Sequence, residues 1–529
     1  MADQSLDATT VKPLTVPGTA NPKAERDLAG FAEAKTLREH WEPLWQECYD
    51  YGIPNRSGFY EKKEIGEKLT DNILDSTTVH AVTDFTSRIR GGLLPDGSRW
   101  VKFKPGTEFA EEDRPDAETA LAEVEQDMFD GLSDSNASSE FDEAVTEMSI
   151  GTGVLHVEDG GVEAPFRFTA VPLSEVYFLA GPFGGLDEVY RPLEVRAQDL
   201  LIKWPAGKLN DQLTKAVKDE PRKPVKLVEV TVRDWTSKEV RYEHRIIAPE
   251  YEKHIVFETE FNGEGSSPWI PFRWSRSAGE VWGRGPLLYT LPDARTVNLT
   301  IELILENAEK SIAGMWQSDD ETINPATISF VPGTIIAKQP GTSGLEPLQA
   351  PGRLDFANMI LSDMRDNIRK GLFSEPLGPT SGTPASATEA NFRIADLNRR
   401  ITSPFGRLVN ELVKPLTKRL LYIRREAGKI KLPRFNGKML KIVPVSPLAK
   451  AADVEQILSI DRFLEQVGGR FGPELMNAVV DGRLLTSILA DLHGVPFEVI
   501  RDQAGVEKVV GQAAEAQAMM QGGGQVPQQ

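Results

Sequence analysis

The chain holds one cysteine, Cys48, in 529 residues, so it can form no internal disulfide and no cysteine-based zinc site. No apolar run approaches the roughly 18 residues of a membrane span. The first residues, Met1-Ala-Asp-Gln-Ser-Leu-Asp7, are acidic and lack the apolar core of a signal peptide. On this reading the protein is neither secreted nor membrane-embedded by a signal of its own. Motifs of common chemistries are missing too. There is no Gly-x-x-x-x-Gly-Lys-Ser/Thr loop to cradle nucleotide phosphates, no His-Glu-x-x-His and no Gly-x-Ser-x-Gly. The six histidines (His40, His80, His156, His244, His254, His493) never fall at metal-ligand spacing, which makes each a surface or structural histidine before a catalyst. The chain is read as a non-enzyme, with no catalytic residue, metal or cofactor.

Excess positive charge is also absent: 60 Lys and Arg face 79 Asp and Glu, a net charge of -19. Proteins that grip nucleic acid release condensed counterions at Lys and Arg, with about 0.9 log units of salt slope per phosphate neutralised. An acidic chain repels that backbone on average, which suits letting DNA slide past better than holding it. The charge is uneven. Between Pro105 and Ser149 fifteen acids face Arg114 alone, a local charge of -14. From Thr388 to Gly428 nine bases face four acids, a local charge of +5. Each charge taken singly reads as part of a solvated face, but segments of opposite sign also suit contact across a subunit interface.

What is present is a mixture of two periods. Residues 1–20 are Thr/Pro/Ala-rich and read as a disordered or peripheral arm. Phe31, Ala34, Leu37, Trp41, Leu44, Trp45 and Cys48 fall at helical spacing and predict one helix ending before Gly52 and Pro54. A second helix is expected from about Leu69 to Ile89, stopped by Gly91-Gly92, then a turn at Pro95-Asp96-Gly97 and a short strand. Helices are expected at 117–132 and 140–150. Over 153–178 and 225–274 the period becomes two, with Val228, Val230 and Val232 alternating with Glu229, Thr231 and Arg233; this reads as an antiparallel sheet and an α+β fold. Leu291, Ala294, Val297, Ile301, Leu305, Ala308 and Ile312 then share a helix face, in two pieces because Pro292 suits a first helical turn. A strand-and-turn insert containing Ile328-Ser-Phe330 and Pro332-Gly333 precedes a helix over 355–373. Helix, small β insert, helix is the topology of an arm. Three short helices, 451–467, 473–492 and 496–512, make a C-terminal helical module, and the Gln/Gly-rich end reads as disordered.

The rest is organised around the loop 374–387, where Pro376, Pro379 and Pro384 lack backbone donors and Gly378 and Gly382 add freedom. Ser386 and Glu389 have the spacing of a capping box. Apolar residues then recur from Ile394 to Ile423, a helix of about 60 Å at ~1.5 Å per residue. Pro404 and Pro415 interrupt it, and an interior proline costs roughly 3 kcal/mol unless the helix bends. A long, kinked helix behind a mobile loop is expected.

Several separated stretches carry a resemblance. Asp75-Ser-Thr-Thr-Val-His-Ala81 leads through Leu94-Pro-Asp-Gly-Ser-Arg-Trp100. Gly283-Arg-Gly-Pro286 runs on to Asn298, and Pro332-Gly333, Ser386-Ala-Thr-Glu-Ala-Asn-Phe-Arg393, Ser446-Pro-Leu-Ala449 and His493-Gly-Val-Pro496 follow. In this order the chain resembles the portal proteins, the head-to-tail connectors of short-tailed double-stranded DNA bacteriophages. Ser386 and Ala390 stand where that family has Thr and Val.

The resemblance implies a homo-oligomeric ring, typically a dodecamer, at a capsid vertex of the virion, assembled in the host cytoplasm without a membrane. Double-stranded DNA would be packaged, retained and ejected through its axis. Terminase and then tail adaptor proteins would dock, beside capsid and scaffold proteins. Residues 21–285 would be the mixed α/β wing, 286–312 and 355–373 the two stem helices, 313–354 the clip and 374–387 the channel loop. Residues 388–445 would be the long kinked wing helix and return, 446–512 the helical crown and 513–529 a disordered tail. Glu375, Pro376, Gly378, Pro379, Thr380, Ser381, Gly382, Thr383 and Pro384 are the candidate channel-loop residues. Arg393, Arg399, Arg400 and Arg407 would meet DNA or an acidic neighbouring subunit. The alternatives are another structural virion protein, scaffold or tail adaptor, and a metal-dependent nuclease using dispersed carboxylates.

Overall fold

The computed structural model describes residues 21–56, 58–60, 70, 71, 73–106, 114–313, 316–319, 339–342, 345–347, 354–375, 400, 404–430, 440–449, 459–470, 480, 482, 485, 486, 488 and 489. Helices α1 (Pro22–Glu39), α2 (Glu42–Gly52) and α3 (Thr77–Leu93) precede β1 (Val101–Pro105) and helices α4 (Arg114–Ser133) and α5 (Ala137–Met148). Strands β2 (Thr152–Asp159), β3 (Phe166–Ala170), β4 (Tyr177–Ala180) and β5 (Leu186–Arg196) follow, then the short helices α6 (Leu200–Lys203) and α7 (Asp211–Asp219). Strands β6 (Pro224–Arg233), β7 (Arg241–Ala248), β8 (His254–Asn262) and β9 (Trp269–Arg273) come next. An arm follows, made of α8 (Pro286–Ala313), β10 (Trp316–Ser318), β11 (Leu345–Pro347) and α9 (Leu354–Gly371). Later come a π-helical turn (Val409–Val413), α10 (Lys414–Glu426) and β12 (Leu440–Pro444). The fold is mixed α+β, as the two periods of the sequence predict.

The chain divides into two compact units. The larger comprises residues 1–90, 126–376 and 407–439. It contains a five-stranded sheet of order β4-β5-β6-β7-β8 and a three-stranded sheet of order β3-β2-β9, antiparallel throughout. One face of the five-stranded sheet, including Tyr190, Val228 and Val230, buries Ala24 and Ala34 of α1. The main core lies where Trp45 and Tyr49 of α2 meet Leu287, Leu291, Ala294 and Val297 of α8 and Leu361 and Ile368 of α9. In the smaller unit, residues 91–125, 377–406 and 440–529, β1 pairs antiparallel with β12. There the Glu125 carboxylate accepts from Arg99 and from the Phe103 amide.

Several local expectations need correction. The helix expected across Phe31–Cys48 is two helices, broken at His40–Trp41; Pro43 lacks the N–H a continuous helix would need and instead sits in the first turn of α2. The second helix begins at Thr77, where Asp75 accepts from the Thr77 amide, and runs past Gly91-Gly92 to Leu93. Gly92 serves packing rather than termination, since a Cβ there would lie 2.5 Å from Leu448. The helix after Gly285 is a single 28-residue element with Pro292 inside it, and the buried face of Leu287, Leu291, Ala294 and Val297 offsets the missing bond. The alternation in β6 also hid a second buried face, because Glu229 and Thr231 are covered by β2 and β9. The Pro332-Gly333 stretch, both expected disordered ends and most of the C-terminal helical module lie outside the described residues; 459–470 is helical.

Candidate functional site

The chain leaves α9 through a helix end that few sequences would choose. The Ser374 amide bonds to the Arg369 carbonyl at 2.8 Å and the Phe373 amide to that of Lys370 at 3.3 Å, the double closure that usually needs glycine between helix and exit. Here Phe373 takes that left-handed position with φ 56°, which costs a non-glycine residue about 1–2 kcal/mol. Its surroundings hold it. The Phe373 ring packs against Phe85 of α3 and Trp274, which follows β9, with centroids 6.4 and 5.7 Å away. Arg88 donates to the carbonyls of Phe373 and Glu375, and Ser374 donates to the Asp84 carboxylate. On α3, Arg88 lies four residues after Asp84 and three after Phe85, so it neighbours both and the three form one surface against which the exit is pinned.

The arm above this exit is braced at two further points. Asp75 caps α3 with one carboxylate oxygen and binds Arg365 of α9 with the other at 2.6 Å. Burial raises the Asp75 carboxyl, but bonds from Thr77 and Arg365 outweigh it and hold its pKa below the ordinary value. Gly371 lets α9 approach α8, since a Cβ there would fall 2.2 Å from Thr290.

The chain returns through a helical stretch over 404–426. Its π-helical turn at Val409–Val413 directly precedes Lys414-Pro415. A widened turn is a usual way to accommodate a proline that cannot donate to the preceding turn. Glu411, in that turn, accepts from the Arg273 side chain at 2.8 and 3.1 Å and from the Arg273 backbone amide at 3.0 Å. β9 is an edge strand, and the Glu411 carboxylate covers an edge donor. Arg407 reaches the same carboxylate at 3.5 Å. Farther along, Arg419 is buried and donates to the carbonyls of Val157 and Ser266; burial without a bonded carboxylate pulls its pKa down to about 10.

These placements bear directly on the sequence candidates. The Glu375 carbonyl accepts from Arg88. Pro376, Gly378, Pro379, Thr380, Ser381, Gly382, Thr383, Pro384, Arg393 and Arg399 lie outside the described residues. Arg400 is helical and exposed, and Pro404 opens the described part of the returning helix. Pro415 lines a cavity of about 160 Å³ with Asp187, Thr231, Trp269 and Lys418. Within the chain, Arg424 of the basic helix grips the Asp127 carboxylate of the acidic segment with two nitrogens. Asp84, Arg88, Arg273, Trp274 and Glu411 carried no sequence signal, being single polar or aromatic residues far apart in the chain. Among the described residues no group of His, Cys, Asp or Glu is placed to hold a metal ion, and no helix is long and apolar enough to cross a membrane.

Fold and junction together define an α+β protein with a two-helix arm whose exit is fastened to α3 and Trp274 and whose return is fastened to the sheet through Arg273. The chain belongs to the bacteriophage head to tail connecting protein family, whose sequence pattern it matches over residues 27–500. It is similar to the "Probable portal protein" of Bordetella phage BPP-1, with 23% identity over 531 aligned residues covering 93% of this chain and 92% of that one. Among solved structures it is similar to a chain of "Virion of native gene transfer agent (GTA) particle", with TM-score 0.37 and 11% identity over 77% of this chain and 91% of that one. A chain of "Neck of empty GTA particle computed with C6 symmetry" gives 0.34 and 12%, over 79% and 93%.

Proposed function

We propose that this protein is a portal: identical chains form a ring at one capsid vertex, DNA is packaged and ejected through its axis, and terminase and then tail adaptor proteins dock to it. In this reading α8 and α9 are stem helices, 313–354 the clip, 374–387 the channel loop and 446–512 the crown, in a ring of typically twelve subunits. Family membership supports a place at the head-tail junction of a virion. The observation that carries the ring is the outer face of α8. Tyr289, Leu299 and Leu303 are 65%, 56% and 57% exposed at positions that, with Pro292 and Thr296, recur every three and four residues. Such a stripe, exposed among the described residues, is suited to a neighbour. A head-to-tail contact that closes by rotation makes a ring.

Electron microscopy of the purified protein tests the reading: hollow rings are expected, and monomers or open filaments would sink it. Deleting Pro379–Pro384 should then leave rings intact while reducing DNA packaging or retention in phage carrying the deletion. Unchanged DNA filling would remove the channel role from the loop.

A further inference from the structure

Two consecutive residues hold the two limbs of the segment between Glu375 and Pro404. Arg273, the last residue of β9, is fastened to Glu411 in the π-helical turn of the returning helix by three bonds of 2.8 to 3.1 Å. Trp274, the next residue, packs against both Phe85 at 5.2 Å and Phe373 at 5.7 Å, completing a three-ring cluster at the exit from α9. Trp274 sits at the bend where the chain leaves β9, and across this one peptide unit the Arg273 side chain meets the returning limb while the Trp274 ring meets the exit. That backbone is itself fixed. The Trp274 amide donates to the Gly151 carbonyl at 2.9 Å, and Arg273 pairs with Thr152 of β2, while its side chain also donates to the Val281 carbonyl at 2.9 Å. Both residues are buried.

We infer that Arg273 and Trp274 form a two-sided anchor that positions both limbs of the 376–403 segment, so that loosening one limb loosens the other. The inference deepens the channel-loop reading and rests on it for its use in a ring. There, a displacement of the loop by DNA would reach the π-helical turn, and with it the returning helix, through a single peptide unit. Arg273 and Trp274 are positioning residues: they need not touch DNA. Coupling of this kind has physical content only where both sites bias one shared element. The end of β9 is that element.

Hydrogen exchange on the full-length assembled protein tests it, comparing peptides from 369–375, from 404–413 and, as a control, from β6 and β7. Trp274→Ala is expected to speed exchange about tenfold or more in 369–375 and to raise it measurably in 404–413 as well, with the control unchanged. Glu411→Gln is expected to give the reverse order, strongest in 404–413 and present in 369–375. Trp274→Phe keeps a ring against both Phe85 and Phe373 and should restore most of the protection at both limbs, which a general loss of stability would not predict. If Trp274→Ala also loosens the control, Glu411→Gln and Trp274→Phe decide. Variants that each loosen only their own limb would overturn the anchor. DNA retention is read separately in phage carrying the variants: coupled exchange with unaltered retention leaves the anchor standing and counts against the channel-loop reading, whereas uncoupled exchange removes the anchor whatever the DNA does.

Discussion

The two faces of the five-stranded sheet bury charge in opposite ways. On the face toward α1, Arg245 is 1% exposed and donates to Asp27 of α1 at 2.7 Å, to Glu258 at 2.9 Å and to Glu243. Burial lowers its pKa, but those three carboxylates outweigh it and raise the pKa above the ordinary arginine value. On the opposite face Glu229 is 5% exposed and its neighbours are histidines: His156 of β2 at 3.5 Å and His244 of β7 at 3.9 Å. Burial pushes the Glu229 carboxyl up to about 7, with Arg191, opposite it on β5, pulling the other way. Burial likewise takes His244 down to about 4, and His156 well below its usual range. Thr231 joins this group, bonding His244 at 2.9 Å and receiving the Trp269 indole N–H at 3.1 Å. The difference is one of partners. A cation surrounded by carboxylates stays charged at every ordinary pH, while a carboxylate among neutral imidazoles carries a proton that pH can remove. The helix is thus attached by fixed charge and the second sheet by a titratable contact.

Removing the fixed charge should have the largest effect. Asp27→Ala leaves the Arg245 guanidinium buried with its most enclosed partner gone, and breaking a buried pair on one side costs about 3–5 kcal/mol. Because Glu243 and Glu258 remain, the low end is expected, about 3 kcal/mol. Hydrogen exchange of the α1 amides should show it as roughly a hundredfold faster opening, unchanged between pH 6 and 8. A small or pH-dependent change would erase the contrast between the two faces.

The titratable face should respond to pH with a sign that can be worked out. Glu229 has its folded pKa raised, so its contribution is complete below its unfolded value of 4.5 and is lost as pH rises through about 7. The histidines have theirs lowered, so their contribution is complete above 6.5 and is lost as pH falls, for His244 through about 4. Between 6.5 and 4.5 two histidines oppose one glutamate, which places the best stability of this contact near pH 6.5. Glu229→Gln removes the buried charge while keeping its shape. At pH 8 it should stabilise by up to about 3 kcal/mol, at ~1.4 kcal/mol per pKa unit, and the gain should vanish as pH falls toward 4.5. Denaturant unfolding across that range measures it, and a gain that does not change with pH would contradict the proton's role.

The sequence made some of this legible. Alternation of Val228, Val230 and Val232 identified β6, and the charge count identified the acidic segment, because both are local patterns. It could not show that Glu229 meets His156, 73 positions earlier, since period-two alternation marks a half-buried strand and says nothing of a second sheet on the polar side. At the junction the same limit applied. The prolines and glycines of 374–387 mark a break from their own chemistry, whereas Phe373 occupies a left-handed position that its residue type argues against. Only Asp84, Phe85, Arg88 and Trp274, brought in from two other elements, make that conformation tenable. What the fold adds to the sequence is which isolated polar residues share a partner.

The smallest effect separates burial from charge as the origin of the first face's strength. Lys23 belongs to the same network as Arg245, donating to Glu258 at 2.7 Å, but its side chain is 51% exposed and that of Glu258 38%. Exposed pairs of this kind are worth about 0–1 kcal/mol. Lys23 also sits in the first turn of α1, after the Asn21 cap, where the helix dipole disfavours a cation by about 0.3–1 kcal/mol. The two terms nearly cancel, so Lys23→Ala should change the opening of α1 by no more than about 0.5 kcal/mol. Its trace should be seen instead at Glu258, whose carboxyl is held below its ordinary pKa first by Lys23 and then by Arg245, and which should move upward in a carboxylate titration. A loss comparable to that of Asp27→Ala would mean that the network holds α1 through charge number, and that the burial of Arg245 is incidental.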